Sequence, residues 1–512
     1  MNSKVNEDRL ITFFKHMSND LSSERNQLIP AARRLVRRSK KRAAFVRPEL
    51  EGLAIQNWLK CNEHNKSIPT LDPYIVSEAR RFLESALWNY ASKINELNIQ
   101  KTLDLDHLYD LWGFGPGASV GVTGTHTAQK IDQAMVCTDR CEPYVKRLRA
   151  SNPYFVAHDE RKNRDKVTVL GSRLTTVPKN ETSVRTIEIQ PSGNMVMQLA
   201  AGRYLEGVLR SIGLDIRYQQ PLNKALAKRG SIDGTICTID LTDASNTLSI
   251  HLLKDLWPSD WVDLILDLRA PFIEINGTYI EPHMVGGMGN GFTFPLMTLT
   301  LVALVYANRS IKNYSRSTFI DWSSTAVFGD DIIIPFSEYE SFVKVLTSAG
   351  FSVNTKKSFA SGHFRESCGG DYLNGVDITP IYVKTLAYDH EIYVAINKLV
   401  DWMARHNAYL FSSLRYLFSL LRKGPYFVPF WYAPDSGIRT TRVRPRFKHL
   451  ANVIETKAYK GDFSMMLACG GYLEDIGFGP FYTPRPIRAR KCTKVSRLPK
   501  GYLDGREAIS IV

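Results

Sequence analysis

Asp330 and Asp331 stand side by side at a glycine in the run Thr325-Ala-Val-Phe-Gly-Asp-Asp-Ile-Ile-Ile-Pro335. Val327, Phe328, Ile332, Ile333 and Ile334 favour a pleated, largely buried strand pair, whereas Gly329-Asp330-Asp331 supplies turn chemistry. Two bare carboxylates beside so apolar a sequence repel one another. A divalent cation relieves that repulsion, and hard oxygen ligands suit Mg²⁺. Taken alone, the run reads equally well as an Asp-rich turn facing water.

Ninety residues upstream, Gly234-Thr-Ile-Cys-Thr-Ile-Asp240 ends a β-branched segment in a third carboxylate, just before a helical pattern. Facing the Asp330–Asp331 tip on a neighbouring strand, Asp240 would complete a set able to hold two metals roughly 3.5–4 Å apart, the arrangement for in-line phosphoryl transfer. Cations flank the acids in sequence. In Arg173-Leu-Thr-Thr-Val-Pro-Lys179-Asn-Glu-Thr-Ser-Val-Arg185, charged and β-forming residues alternate, so Lys179 and Arg185 are candidates to clamp a triphosphate, with two surface charges as the alternative. After Gly350-Phe-Ser-Val-Asn354, Lys356 and Lys357 offer a general acid for leaving pyrophosphate.

The elements that must position these groups follow from residue patterning. From about 236 the order is strand (235–241), helix (249–257), glycine loop (286–291), apolar helix (294–307) and the Asp330 hairpin, which is α+β order. Gly286-Gly-Met-Gly-Asn-Gly is too glycine-dense for helix or strand. It is either a helix-entry loop or a place where backbone amides meet a nucleic-acid strand. Earlier, a helical pattern covers 74–97, and the glycine loop 113–121 lacks the Lys-Ser/Thr ending of a phosphate-binding fingerprint. Later, 391–423 shows apolar residues at helical spacing and stops at Gly424-Pro425; its aromatics Trp402, Tyr409, Phe411 and Tyr416 are read as core rather than as a base-stacking platform.

The 512 residues are 44% hydrophobic and 23% charged, enough for a large core in several subdomains, and the net charge of +15 points to a polyanionic partner. Basic residues concentrate at 33–42 and 485–500, either along a phosphate backbone or on a solvated face. Seven dispersed cysteines argue against a disulfide framework, and the lone Cys137–Cys141 pair against structural zinc. The sequence shows neither a secretion-signal pattern nor an apolar stretch long enough to span a bilayer, so a soluble intracellular protein without membrane association is expected.

In this order the motifs resemble those of RNA-directed RNA polymerases, most closely the replicase catalytic (beta) subunits of single-stranded RNA bacteriophages, the leviviruses. The resemblance rests on Asp240-Leu-Thr-Asp-Ala-Ser, Met288-Gly-Asn-Gly-Phe-Thr-Phe294, Phe328-Gly-Asp-Asp-Ile-Ile333, Gly350-Phe-Ser-Val-Asn354 with its lysines, and Phe364-Arg-Glu-Ser-Cys-Gly369. Val177-Pro-Lys-Asn180 with Arg185 resembles the basic fingers motif, and Phe114-Gly-Pro-Gly-Ala-Ser119 recurs in phage replicases, so the likeness covers about 113–385.

The resemblance implies a right-hand polymerase: N-terminal region and fingers over 1–235, palm over 236–270 and 286–385 with an antiparallel sheet carrying the Gly-Asp-Asp hairpin, a fingers insertion at 271–285, and a helical thumb with a basic C-terminal region over 386–512. It implies two Mg²⁺ ions, replaceable by Mn²⁺, at Asp240, Asp330 and Asp331, and nucleotide contacts at Lys179, Arg185, Ser245 and Asn290. Template contacts fall at Gly287, Gly289 and Gly291. Implied partners are an RNA template, ribonucleoside triphosphates, host elongation factors Tu and Ts and a small-subunit ribosomal protein, in the cytoplasm of an infected bacterium. Many viral polymerases carry a ribose-sensing acid five or six positions after the first palm aspartate. Here those positions are Ser245 and Asn246, and the acid, Asp243, comes earlier. A reverse transcriptase, which would carry a bulky aromatic where Ser245 leaves room for a 2′-hydroxyl, and a non-catalytic basic RNA-binding scaffold are the rival readings.

Overall fold

The computed structural model of the chain describes residues 3–23, 48–67, 70–94, 102–131, 133–152, 167–180, 183–313, 320–383, 385–406, 408–422, 424–430, 432–440, 453–456 and 494–497. The basic run at 33–42 lies outside these residues, as does that at 485–500 apart from the strand Lys494–Arg497. The chain divides into two compact units, Ala44–Ile378 and a second that joins Met1–Ala43 to Thr379–Val512. Both mix helix and sheet, as α+β order requires.

The first unit is organised around a four-stranded antiparallel sheet in the order Ser352–Val353, Ile236–Thr242, Asp331–Pro335, Ala326–Phe328. Alternation sends Cys237, Ile239, Leu241, Ile332, Ile334 and Val327 into the main helical core. Ile236, Ile333 and Ala326 go the other way, against Leu226 and Ala227 of the helix Gln219–Asp233. Burial on both faces explains why these strands are apolar without polar alternation. Each buried isoleucine contributes about 1.5–3 kcal/mol.

Behind the sheet lies the helix Thr293–Asn313, apolar on all sides because helices pack around it. Its Thr298 and Thr300 hydroxyls return to the carbonyls of Phe294 and Leu296, so neither is left unsatisfied in the core. No described helix is long and apolar enough to cross a membrane. A second four-stranded sheet carries Ser183–Ile189, Gly171–Asn180, Phe272–Ile275 and Thr278–Ile280 in that order. The 113–121 loop is a packed turn: Arg203 donates to the carbonyls of Leu111 and Trp112 and fills the space beside Gly113. The five described cysteines are free thiols.

In the second unit the helix Ser3–Ser23 packs with Asp389–His406 and Phe411–Ser419, burying Phe13 and Met17 with Trp402 and Leu417. The single helix expected over 391–423 is therefore two. Leu410 departs from helical geometry, and the new helix start is capped by Asp20, whose carboxylate accepts from the N–H and hydroxyl groups of Ser412 and Ser413. Those hydrogen bonds hold Asp20 below the ordinary carboxylate range against the opposing effect of burial. A cap supplied by a residue so distant in sequence leaves no local signal of the break.

Candidate active site

The register of the central sheet decides the site. Asp240 stands directly opposite Asp331, one step beyond the Ile239–Ile332 pair, and Phe328 faces Asp331 from the other side. Opposed residues of an antiparallel pair share a face, so both carboxylates emerge on the same side at the end of the sheet. Asp330 occupies the turn beside them. Gly329 sits at φ +59, and a Cβ there would lie 2.4 Å from Phe294, so glycine is required for conformation and for space. The helix Thr293–Asn313 braces this turn: Phe294 meets Phe328 edge to face at 4.8 Å, and Thr298 Oγ1 accepts from Gly329 N–H at 3.1 Å.

The acids are strongly coupled. Burial, then the charge of Asp330, pushes Asp331 up to about 6, while the Cys368 N–H and thiol act in the opposite direction. Burial also raises Asp240, against Lys357 and Asn354, and the charges of Asp330 and Glu366 add to the rise. Asn354 Nδ2 donates to Asp240 Oδ2 at 2.7 Å, and Lys357 Nζ lies 3.7 Å from the same oxygen. The backbone is pinned as well, with Asn354 N–H on the Asp240 carbonyl at 2.8 Å and Asp240 N–H on Ser358 Oγ at 3.1 Å.

This donor set fits a hard divalent cation: oxygen ligands, two of them on opposed strands, with charge repulsion that burial leaves unrelieved. Among the described residues, however, no three carboxylate, histidine or cysteine side chains stand in ligating geometry, and Asp240 Oδ2 is engaged by Asn354 and Lys357.

Cations approach from the second sheet. Lys179 and Arg185 lie on its hairpin, where Arg185 pairs with Val177. Lys179 is lowered by burial, then by Arg185 and Lys357, while Asp240 and Asp243 favour its charged form. Lys179 thus belongs to the electrostatic neighbourhood of the acids. Both lysines are exposed, and it is Lys357 rather than Lys356 that faces Asp240. Asp243 adopts a left-handed conformation at φ 49, and its carboxylate accepts from Asn57 Nδ2 at 2.7 Å. Ser245 follows it, half-buried, in the short helix Ala244–Thr247.

In the glycine loop Gly287 is buried, Gly291 half-buried and Gly289 exposed, and each lies close to the protein's own atoms. Gly287 is buried against the Glu188 carboxylate, a Cβ on Gly289 would lie 2.3 Å from the Glu188 carbonyl, and one on Gly291 would meet Leu199 and Gln198. The glycines admit the protein's own backbone. Asn290 is also turned inward, with Oδ1 accepting from Phe292 N–H and Nδ2 buried without an acceptor among the described residues.

Sequence reasoning missed several groups at or beneath the site. Asn354 lies inside the Gly350–Asn354 motif, whose following lysines carry the more obvious charge. Asn57, Cys368 and the buried Glu188 carry no local signal, since each acts through a partner far away in the chain. Glu188 is pushed up to about 7 by burial, against the nearby Arg269 charge, the Gly287 N–H, Trp58 and Gln190. Arg269 donates to the carbonyls of Met284 and Pro282 at 2.7 and 2.8 Å, and Glu188 N–H to that of Met288 at 2.7 Å. Together they hold the approach to the glycine loop and its middle.

Comparison with known proteins agrees with the motif order. The family model described as RNA replicase, beta-chain matches residues 60–407. The RNA-directed RNA polymerase subunit beta of Escherichia virus Qbeta is 34% identical over 279 residues, which are 54% of this chain and 45% of that protein. The RNA-directed RNA polymerase beta chain of Escherichia phage MS2 is 28% identical over 341 residues, 66% of this chain and 59% of that one. The matches thus span about half the length of these relatives. A solved RNA-dependent RNA polymerase of BmCPV at elongation state aligns with 67% of this chain and 32% of its own at 13% identity and a TM-score of 0.39, too distant to place residues.

Proposed function

We propose that this chain, which belongs to the RNA replicase beta-chain family, carries out RNA-templated synthesis of RNA by nucleotidyl transfer and so replicates a viral single-stranded RNA genome. The observation that carries the reading is the opposition of Asp240 and Asp331 beside the Gly329-Asp330 turn, with Lys179 in the electrostatic neighbourhood of Asp240. The scaffold reading leaves this buried repulsion without a purpose.

In this reading the sheet holding Asp240, Asp330 and Asp331 is the palm, formed by 236–270 and 286–385. The hairpin of Lys179 and Arg185 belongs to the fingers, with 1–235 and 271–285, and the thumb lies in 386–512. Asp240, Asp330 and Asp331 would hold two Mg²⁺ ions, with Mn²⁺ as a substitute. When bound, such ions lower the pKa of an attacking hydroxyl and stabilise a pyrophosphate leaving group.

The chain's own residues do the rest. Asn354 and Lys357 orient Asp240. Lys179 and Arg185 neutralise the incoming triphosphate, and Lys357 is the lysine placed to hold a proton near the leaving group. Ser245 leaves room for a 2′-hydroxyl, and Asn290 reaches the nucleotide only if its amide turns outward. In the glycine loop, the exposed Gly289 and half-buried Gly291 offer backbone to the template path, while Gly287 packs inward on Glu188.

The family's partners are proposed on the same basis: an RNA template, ribonucleoside triphosphates, host elongation factors Tu and Ts and a small-subunit ribosomal protein, in the cytoplasm of an infected bacterium. The test is incorporation on a primed RNA template with Mg²⁺, by the purified chain alone and with nucleic-acid-free host extract. Ribonucleotides are incorporated and deoxyribonucleotides are not, and Asp330→Asn loses incorporation while retaining RNA binding. Normal synthesis by Asp330→Asn would remove the acids from the chemistry. Recovery of the host factors on the tagged chain tests the partners.

A further inference from the structure

The aromatic residues read from sequence as core divide into two kinds. Trp402 is fully buried and Tyr416 half-buried, but Tyr409 and Phe411 are 57% and 64% exposed. Between the two helices the chain alternates: Ala408 and Leu410 point into the core, so Tyr409 and Phe411 emerge together on the outer side. Their rings stack at 5.6 Å between centroids with planes 15° apart. Phe411 begins the helix that Asp20 caps through Ser412 and Ser413.

We infer that Tyr409 and Phe411 form a stacking platform for an unpaired base of single-stranded RNA, a site that rests on the RNA-synthesis reading but lies in the unit without the acid cluster. Two observations favour RNA over an apolar protein surface. Arg415 is exposed one helical turn beyond Phe411, on the same face, where it can meet a phosphate. Residues 400–440 carry five lysines and arginines against two aspartates, a balance that suits a polyanion. Exposed aromatic rings beside a cation are how proteins bind single strands without sequence preference, since every base offers a π-face.

The test is binding of the full chain to three RNA probes of equal length: a single strand containing 2-aminopurine, a strand with abasic ribose throughout, and a blunt duplex. Tyr409→Ala with Phe411→Ala weakens single-strand binding on the order of tenfold or more, removes the quenching of 2-aminopurine, and leaves abasic and duplex binding unchanged. Tyr409→Trp with Phe411→Trp retains both affinity and quenching. Unchanged single-strand affinity in the alanine variant, or an equal loss on all three probes, would overturn the platform. A platform that fails while wild-type incorporation persists leaves the polymerase reading intact; absence of incorporation by the wild type, with platform binding present, removes that reading instead.

Discussion

Asp240 and Asp331 face each other across an antiparallel ladder, so their spacing is set by backbone hydrogen bonds rather than by a loop. Opposed positions in such a ladder bring Cα atoms to roughly 4.5–5.5 Å. Two acids held that close and partly buried store repulsion, which opposite charge can release.

Binding of Mg²⁺ should stabilise the protein in a pH-dependent way. Asp331 titrates at about 6, so at pH 5 it is mostly protonated and a weak ligand, whereas at pH 8 it is ionised. Thermal unfolding should show a Tm rise with 10 mM-scale Mg²⁺ of a few degrees at pH 8 and a much smaller one at pH 5, by mass-action stabilisation of the folded state. An equal rise at both pH values, or one that survives Asp331→Asn with Asp330→Asn, would place the ion elsewhere.

Lys357→Met should unpin Asp240. Loss of the 3.7 Å ion pair leaves a carboxylate that burial already disfavours, and its proton affinity rises further. Activity needs a charged Asp240, so the acid limb of the pH–rate profile should move to higher pH, with kcat falling about tenfold or more. Lys356→Met, one residue away and exposed like Lys357 but without the ion pair to Asp240, serves as the comparison. Equal effects from the two substitutions would erase the distinction between them.

Glu188 makes stability depend on pH. Its folded-state value of about 7 lies above the ordinary 4.5, so between these limits the folded protein binds more protons than the unfolded chain. The associated stability is fully present below about 4.5 and is lost as pH rises to about 7, a change on the order of 3 kcal/mol. Urea denaturation from pH 4.5 to 7.5 should show this decline for wild type and a flatter line for Glu188→Gln. Parallel lines would mean that the carboxyl ionises freely in the folded state.

Gly289→Ala is expected to cost several kcal/mol. The residue sits at φ +104, and the added Cβ would fall 2.3 Å from a backbone carbonyl that cannot swing aside. Gly117→Ala shares an unfavourable φ of +96 but meets no atom within 4 Å, so it should cost only about 1 kcal/mol. Similar Tm values for the two variants would show that the loop has room to shift.

Local patterning is legible over the strands and helices around the acids because it is a property of consecutive residues. Ile332 to Ile334 are apolar at every step and Ile236 to Ile239 are broken only by Thr238, as suits strands covered on both faces, and Gly329 marks the turn before Ile332. Motif order alone likewise pointed to the replicase family. A helical stripe, by contrast, cannot report a cap delivered from elsewhere, and so 391–423 looked continuous although Asp20 starts a new helix at its centre.

By itself, the sequence determined which segments are strand, helix and turn near the acids, and the family. Only the tertiary structure decided that Lys357 rather than Lys356 meets Asp240, that the loop glycines admit Glu188 and Gln198, that Glu188 is buried, and that Tyr409 and Phe411 face outward. The physical reason is that backbone preference is settled between neighbours in the chain, whereas charge partners, close approaches and exposure are settled by residues that meet only after packing.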